Sequence, residues 1–322
     1  MTLDHPPPLP RFQLAELPTP VQSLPRLSAL LGLELLIKRD DQTGLALGGN
    51  KTRKLELLLA EALAARADTL ITGGAPQSNH CRQTAAATAR AGLRCVLVLS
   101  GAPRPETTGN LLLDRLLGAE LRWAGDGSRD AAMDEAFAFE QAAGRTPYLI
   151  PYGGSSPLGA AAYALALREL LDQRQDVERI VFASSSGGTQ AGLLAGARLF
   201  GFAGALHAIS VDRPAHELAA LVADLAGRTA RCLGAELRVA PAEVRVDDRF
   251  LGGGYAVMGP AEREAIRLFA RSEGILLDPV YTGRAAAGLL ALARAGELRA
   301  GERVLFWHTG GTPALWAYAD EL

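Results

Sequence analysis

An α/β protein built on parallel sheets is predicted by three observations. Short apolar runs alternate with stretches of helical periodicity along most of the chain. The runs are continuous rather than alternating, as in Val96-Leu97-Val98-Leu99, and strands buried on both faces read that way. Loops rich in glycine and small polar residues follow several of the runs, where open α/β sheets bind their ligands.

Residues 1–27 read as an irregular arm, because Pro18, Pro20 and Pro25 interrupt any helix there. Residues 33–40 read as a strand or hairpin arm ending in charge, and 44–49 as a loop into a helix. Further strands are expected over 69–72, 94–99, 120–123, 147–150, 179–183, 206–211 and 303–307. Helices are expected over 79–90, 110–117, 129–143, 158–173, 188–200, 215–232, 261–272 and 284–295, with a last one starting near Thr312. The loop Pro151-Tyr152-Gly153-Gly154-Ser155-Ser156-Pro157 is the strongest punctuation. It suggests a larger domain formed by 1–52 and 161–322 and a smaller inserted domain formed by 53–160.

The chain, 322 residues long, suffices for two domains, and 48% hydrophobic with 21% charged residues is an ordinary globular balance. A net charge of −2 without blocks of like charge argues against nucleic acid or an anionic membrane as partner. No run of eighteen apolar residues suggests a membrane span. The start carries Asp4 and Pro6, Pro7, Pro8 and Pro10, and lacks the basic and apolar regions of a signal peptide. Cys81, Cys95 and Cys232 have no metal-ligand spacing, so no metal is expected, and a reducing compartment, the cytoplasm, is the expectation.

The stretch Gly48-Gly49-Asn50-Lys51-Thr52-Arg53-Lys54-Leu55-Glu56 puts a glycine turn and a candidate N-cap, Asn50, before Leu55, Leu58, Leu59, Ala62 and Leu63 at helical spacing. Lys51 then stands at a helix N-terminus, where a cation is unfavourable and the neutral, nucleophilic amine is favoured. Lys51, Arg53 and Lys54 crowd one turn, which suits a nearby anion. The same stretch also reads as a glycine turn followed by a solvated basic helix start.

Four loops could complete a site. In Gly73-Gly74-Ala75-Pro76-Gln77-Ser78-Asn79-His80, Ser78 and Asn79 open a helix and suit a carboxylate or phosphate, or simply cap that helix. His80 reads equally as a hydrogen-bonded structural histidine. Ser184-Ser185-Ser186-Gly187-Gly188-Thr189-Gln190 reads as a phosphate-type cradle, or as a serine-rich helix cap, and lacks the spacing of a nucleotide P-loop or of G-x-G-x-x-G. Leu277 to Ala285 reads as a strand end running into a helix, with Tyr281 either an acid–base group or a packed ring. After the last strand, Thr309 offers a hydroxyl and His308 reads as a supporting residue. Tyr255 follows three glycines in a turn that reads as a simple loop or as a hinge carrying Tyr255 toward a ligand, and no G-x-S-x-G elbow supports a serine hydrolase.

Together these motifs resemble the pyridoxal-phosphate enzymes of the tryptophan-synthase-β fold (fold type II). More closely, they resemble the family joining 1-aminocyclopropane-1-carboxylate deaminase and D-cysteine desulfhydrase. The resemblance runs nearly end to end, through Pro18-Thr19-Pro20, Ile37-Lys38-Arg39-Asp40-Asp41, the lysine stretch, Gln77-Ser78-Asn79-His80, Pro151 to Ser156, Ser186 to Gly192, Asp278 to Gly283 and His308-Thr309-Gly310-Gly311. It implies two open parallel-sheet domains, the larger binding the cofactor, and a homodimer acting on a small amino acid. Lys51 would be bonded to pyridoxal 5'-phosphate. Ser186, Gly187, Gly188 and Thr189, with Lys54, would hold the phosphate. Asn79 would meet the ring hydroxyl, and Thr309 would complete the cofactor site. Ser78, with Gln77, Asn79 and His80, would take the substrate carboxylate, and Tyr281 and Tyr255 would flank the reacting atoms.

Deaminase-type members carry an acidic residue at the position of Thr282 and leucine at that of Thr309, whereas desulfhydrase-type members carry small hydroxyl residues at both. A neutral partner leaves the ring nitrogen a milder electron sink, sufficient when a Cα proton and a good Cβ leaving group are present. The resemblance thus implies a carbon–sulfur lyase converting D-cysteine to pyruvate, ammonia and hydrogen sulfide. Opening of 1-aminocyclopropane-1-carboxylate and elimination from another β-substituted amino acid such as L-cysteate are the alternatives.

Overall fold

The computed structural model describes residue 3 and residues 6–103, 107–173 and 176–322. The parts of the expected N-terminal arm at residues 1, 2, 4 and 5, Asp4 included, lie outside the described residues. The strands are β1 (Val21–Ser23), β2 (Glu34–Arg39), β3 (Thr69–Gly74), β4 (Arg94–Leu99), β5 (Glu120–Trp123), β6 (Pro147–Leu149), β7 (Arg179–Ser184), β8 (Ala205–Ser210), β9 (Val246–Asp247) and β10 (Arg303–His308). The α-helices are α1 (Pro25–Leu31), α2 (Asn50–Ala64), α3 (Asn79–Ala91), α4 (Gly109–Leu116), α5 (Arg129–Ala142), α6 (Pro157–Asp172), α7 (Gly188–Phe200), α8 (Ala215–Cys232), α9 (Pro260–Glu273) and α10 (Thr282–Arg294).

Two sheets result. One runs β1-β2-β10-β7-β8-β9, and the other runs β5-β4-β3-β6. All pairings are parallel except β1 with β2. Successive side chains of a strand point to opposite faces, and in the larger sheet both faces are covered. Val304, Phe306 and Val181 pack with Leu27 of α1, Phe269 of α9 and Leu289 of α10. Leu305, Trp307, Ile180 and Phe182 pack on the other face with Tyr163 and Leu167 of α6 and Leu193 of α7. In the smaller sheet, Leu97 and Leu99 face Cys81 and Ala85 of α3, while Val96 and Val98 face Met133 and Ala136 of α5. This double covering explains why the strands read as unbroken apolar runs.

Three expectations are corrected. The arm over 1–27 contains β1 and the start of α1: Pro25 occupies the first helical turn, where its missing N–H costs nothing. No strand precedes α10; residues 274–278 are irregular and Asp278 takes over the ordering role. The last helix is 3₁₀ over Thr312–Glu321.

The carboxyl ends of β2, β3, β6, β7 and β10 turn toward one region, and a buried polar knot sets how α2 enters it. Asp40, just past β2, accepts from Thr19 Oγ1 (2.9 Å), Arg53 Nη2 (2.8 Å), Tyr163 OH (2.6 Å) and Trp307 Nε1 (2.8 Å). Arg53 also donates to Glu169 (2.8 Å), which pairs with Lys38 (2.6 Å). Burial alone would raise the Asp40 carboxyl, but the Arg53 charge and the donated hydrogen bonds outweigh it and hold it below the ordinary range. That stabilisation is present above the unfolded-state pKa and is lost as pH falls through the lowered folded value. Asp40→Asn leaves Arg53 without its main partner and should lower the unfolding free energy by about 3 kcal/mol in urea denaturation. A loss below about 1 kcal/mol would contradict this account.

Candidate active site

Lys51 is the second residue of α2, and the turn that delivers it is built on glycine. At Gly48 (φ 63°) an added Cβ would lie 2.0 Å from the Asp41 carbonyl oxygen. The turn is held from outside by Arg82, which donates to the carbonyls of Ala46 and of Gly48 (3.0 Å). Asn50 is not the cap. It is the first helical residue, its N–H donates to the Thr309 carbonyl (2.9 Å), and its Nδ2 donates to Thr189 Oγ1 (3.2 Å). It therefore ties α2 to two other cleft walls. Arg53 does not serve a ligand anion either, because Asp40 and Glu169 take its guanidinium.

These walls line one cleft. Lys51, Ser78, Asn79, His80, Ser186, Gly187, Thr189, Tyr281 and Thr309 line it, drawn from α2, the loops after β3, β7 and β10, and the start of α10. The Lys51 amine has no hydrogen-bond or ion-pair partner among the described residues, and desolvation lowers its pKa to about 8.

Lys54 stands behind the Gly187–Thr189 loop rather than in the cleft. Its buried ammonium donates to the Gly153 carbonyl (3.2 Å) and Ser155 Oγ (3.3 Å), with no carboxylate partner among the described residues. Desolvation, then the nearby Lys51 charge, pushes its pKa well down. Gly188 opens α7 against it: an added Cβ would stand 2.4 Å from Ser155 Oγ and 2.8 Å from Lys54 Nζ. The first turn of α7, whose Gly188 N–H donates to Ser155 Oγ (3.2 Å), and a buried lysine without a carboxylate partner among the described residues thus converge.

On the opposite wall, Ser78 caps α3 by accepting from the Cys81 N–H (3.2 Å), so its hydroxyl proton remains for the cleft. Thr72 Oγ1 spends its proton on the Ile150 carbonyl (2.8 Å) and so accepts from His80 Nε2 (2.9 Å). His80 is therefore the neutral Nε2–H form, and burial followed by the Lys51 charge pushes its pKa well down. Gln77 faces elsewhere: its amide accepts from the Asn110 N–H (2.8 Å) and donates to the Thr108 carbonyl (2.9 Å).

Tyr281 lines the cleft, and Tyr255 stands behind it with the two hydroxyls 2.7 Å apart. Burial, then the neighbouring tyrosines, raises the Tyr281 phenol well above its ordinary value, so it stays protonated. Arg284 holds the Tyr255 loop through the carbonyls of Gly254 (3.0 Å) and Val257 (2.8 Å). Thr282 does not reach the cleft. Its hydroxyl donates to Asp278 (2.7 Å), whose carboxylate caps α10 through the N–H groups of Val280, Tyr281 and Thr282. Thr309 is thus the member of that pair that faces the cleft. His308 is a supporting residue: its Nδ1 accepts from the Gly310 N–H (3.2 Å) and its Nε2 donates to the Leu276 carbonyl (3.1 Å).

Tyr152, which belongs to none of the four candidate loops, also lines the cleft, with Arg129 stacked over its ring at 4.2 Å. Its place in a proline–glycine loop after a strand was the available signal. The chain has only three lysines, Lys38, Lys51 and Lys54, and all are in or beside this region.

A strand-end cleft with an unpaired lysine and an anion cradle is what a phosphate-bearing aldehyde cofactor requires. The chain belongs to the pyridoxal-phosphate dependent enzyme family, whose model matches residues 12–310. It is 42% identical over 331 residues, 99% of each chain, to a D-cysteine desulfhydrase of Salmonella typhi. The crystal structure of an ACC deaminase homologue is 40% identical, with a TM-score of 0.89 over 97% of this chain and 95% of that one. Threonine deaminase isoform 2 from Solanum lycopersicum, 16% identical with a TM-score of 0.65 over 91% of this chain and 79% of its own, shares the fold. Lys54, which lacks a counter-anion, and the glycine cradle at Gly188 fit the cofactor's phosphate.

In the cofactor-free protein, acylation of Lys51 by trace acetic anhydride, followed by peptide mass spectrometry, should rise with pH along a curve centred at about 8. A midpoint near the ordinary lysine value of about 10.4 would contradict the cleft electrostatics.

Proposed function

We propose that this enzyme eliminates hydrogen sulfide from D-cysteine and that the three-carbon enamine left behind is hydrolysed by one water to pyruvate and ammonia. The carrying observation is the pairing of a cleft amine of lowered pKa, Lys51, with a second buried lysine, Lys54, that has no carboxylate partner among the described residues and stands behind a helix N-terminus. Identity of 42% to a D-cysteine desulfhydrase along the whole chain supports the choice of substrate.

When bound, pyridoxal phosphate supplies an aldehyde for the substrate amine and a conjugated ring that accepts the electron pair left at Cα. Lys54, Ser186 and the Gly187–Thr189 turn would hold its phosphate, Asn79 its ring hydroxyl and Thr309 its ring nitrogen. Lys51 would carry the cofactor, and its amine, which reaches the cleft, would take the substrate's Cα proton. The start of α3, with the Ser78 hydroxyl and His80 beside it, receives the substrate carboxylate. Tyr281, kept protonated by burial and its tyrosine neighbours, donates to the departing sulfur, with Tyr255 holding its hydroxyl in place. Thr309, a neutral hydroxyl, suits elimination from a substrate with a Cα proton better than cyclopropane opening.

Pyruvate formation should be measured on D-cysteine, L-cysteine, L-cysteate and 1-aminocyclopropane-1-carboxylate. D-cysteine is expected to give the highest kcat/KM; turnover of the cyclopropane acid alone would overturn the proposal. Tyr281→Phe should lower kcat by about 100-fold or more, the usual contribution of a positioned acid.

We also propose a cytoplasmic homodimer. Among the described residues no helix is long and apolar enough to cross a membrane. The helix α4 and the C-terminal 3₁₀ segment pack on each other and expose Leu112, Leu116 and Trp316, of which Leu116 is 73% and Trp316 60% exposed. Sedimentation of the wild type should report a dimer, and L116E/W316E a monomer. A monomeric wild type would contradict the assembly.

A further inference from the structure

We infer that Asn110 is a positioning residue that decides which end of the Asn79 amide faces the cofactor. The inference rests on the cofactor reading given above and adds a residue that has no contact with the cleft. Its starting point is the Gln77 carbonyl, which can only accept a hydrogen bond. The end of the Asn110 amide lying 2.9 Å from that carbonyl is therefore the nitrogen, Nδ2. The same nitrogen lies 2.8 Å from the side chain of Asn79, so the Asn79 atom facing it must be the oxygen, Oδ1. Asn79 is left with Nδ2 as its free end. That end lies toward Gly311 beside the cleft, where an added Cβ would stand 2.7 Å from it.

The consequence is chemical. An Asn79 amide turned the other way would present an oxygen to the oxygen of the cofactor ring. Held as it is, it presents an N–H donor.

Asn110 is itself locked. It is fully buried at the second position of α4, and its own N–H donates to Gln77 Oε1 (2.8 Å). Gly109 makes this approach feasible: its φ is 59°, and an added Cβ would stand 2.4 Å from Gln77 Oε1 and 2.9 Å from the Pro313 carbonyl oxygen. Gln77 and Asn110 thus form one clamp, and the clamp acts through Asn79.

A double-mutant cycle tests this on the full-length protein, with the cofactor's dissociation constant and visible absorption maximum as readouts. Asn79→Ala should weaken cofactor binding about tenfold and shift the band, as loss of a hydrogen bond to a charged group does. Asn110→Ala should weaken binding and shift the band in the same direction. Asn79→Ala/Asn110→Ala should match Asn79→Ala alone, because Asn110 then has nothing left to orient. Additive losses in the double variant would overturn the inference in favour of a general structural role. Should Asn110→Ala not fold, Asn110→Asp keeps the shape but offers Asn79 an acceptor, which turns the amide around. Asn110→Asp is expected to weaken binding at least as much as Asn79→Ala, and a wild-type band and affinity in Asn110→Asp would overturn the inference. A wild-type protein that takes up no cofactor would overturn the cofactor reading itself. Wild-type uptake with both Asn110 variants unaltered would overturn only the role of Asn110.

Discussion

The structure depends on one carboxylate. Asp40 gathers donors from the N-terminal arm, α2, α6 and β10, and so fixes the direction in which α2 leaves the larger sheet. A buried charge is tolerated only when it is paired and its remaining lone pairs are used, and both conditions hold here. The pairing has a functional result. Arg53 and Lys51 are two residues apart on one helix, so anchoring Arg53 to Asp40 and Glu169 turns Lys51 toward the cleft. A solvated basic helix start would have no such preference.

The three lysines divide the electrostatic labour. Lys38 is neutralised by Glu169 and belongs to the knot. Lys54 has no carboxylate partner among the described residues and stands behind a glycine-opened helix. Lys51 has no partner among the described residues, and desolvation lowers its pKa to about 8. Every other strongly basic side chain is an arginine, which cannot be deprotonated in a protein and so cannot act as a neutral amine.

Much of this was legible in the chain. Helices α7 and α8 begin and end where periodicity and glycine punctuation put them, and the strands buried on both faces announce themselves as apolar runs. The loops after β3, β7 and β10 do converge on Lys51. What was not legible depends on long-range partners. Asn50 has the composition of a cap, but Thr189, 139 residues away, takes its side chain. Arg53 looked like part of an anion site until Asp40 and Glu169 claimed it. Thr282 was expected near the ring nitrogen, but Asp278, four residues earlier, holds its hydroxyl. Gln77 adjoins Ser78 in sequence, yet Thr108 and Asn110 take the two ends of its amide. In each case a polar or charged side chain had several satisfactory partners, and local sequence does not rank them.

The central claim is that the fold singles out Lys51 among three lysines to carry the cofactor. Borohydride reduction of the cofactor-loaded protein, followed by peptide mass mapping, tests it most directly. The account predicts the cofactor's mass on Lys51 alone. Its mass on Lys54 or Lys38, or on no lysine in a protein that shows the cofactor's visible band, would contradict it.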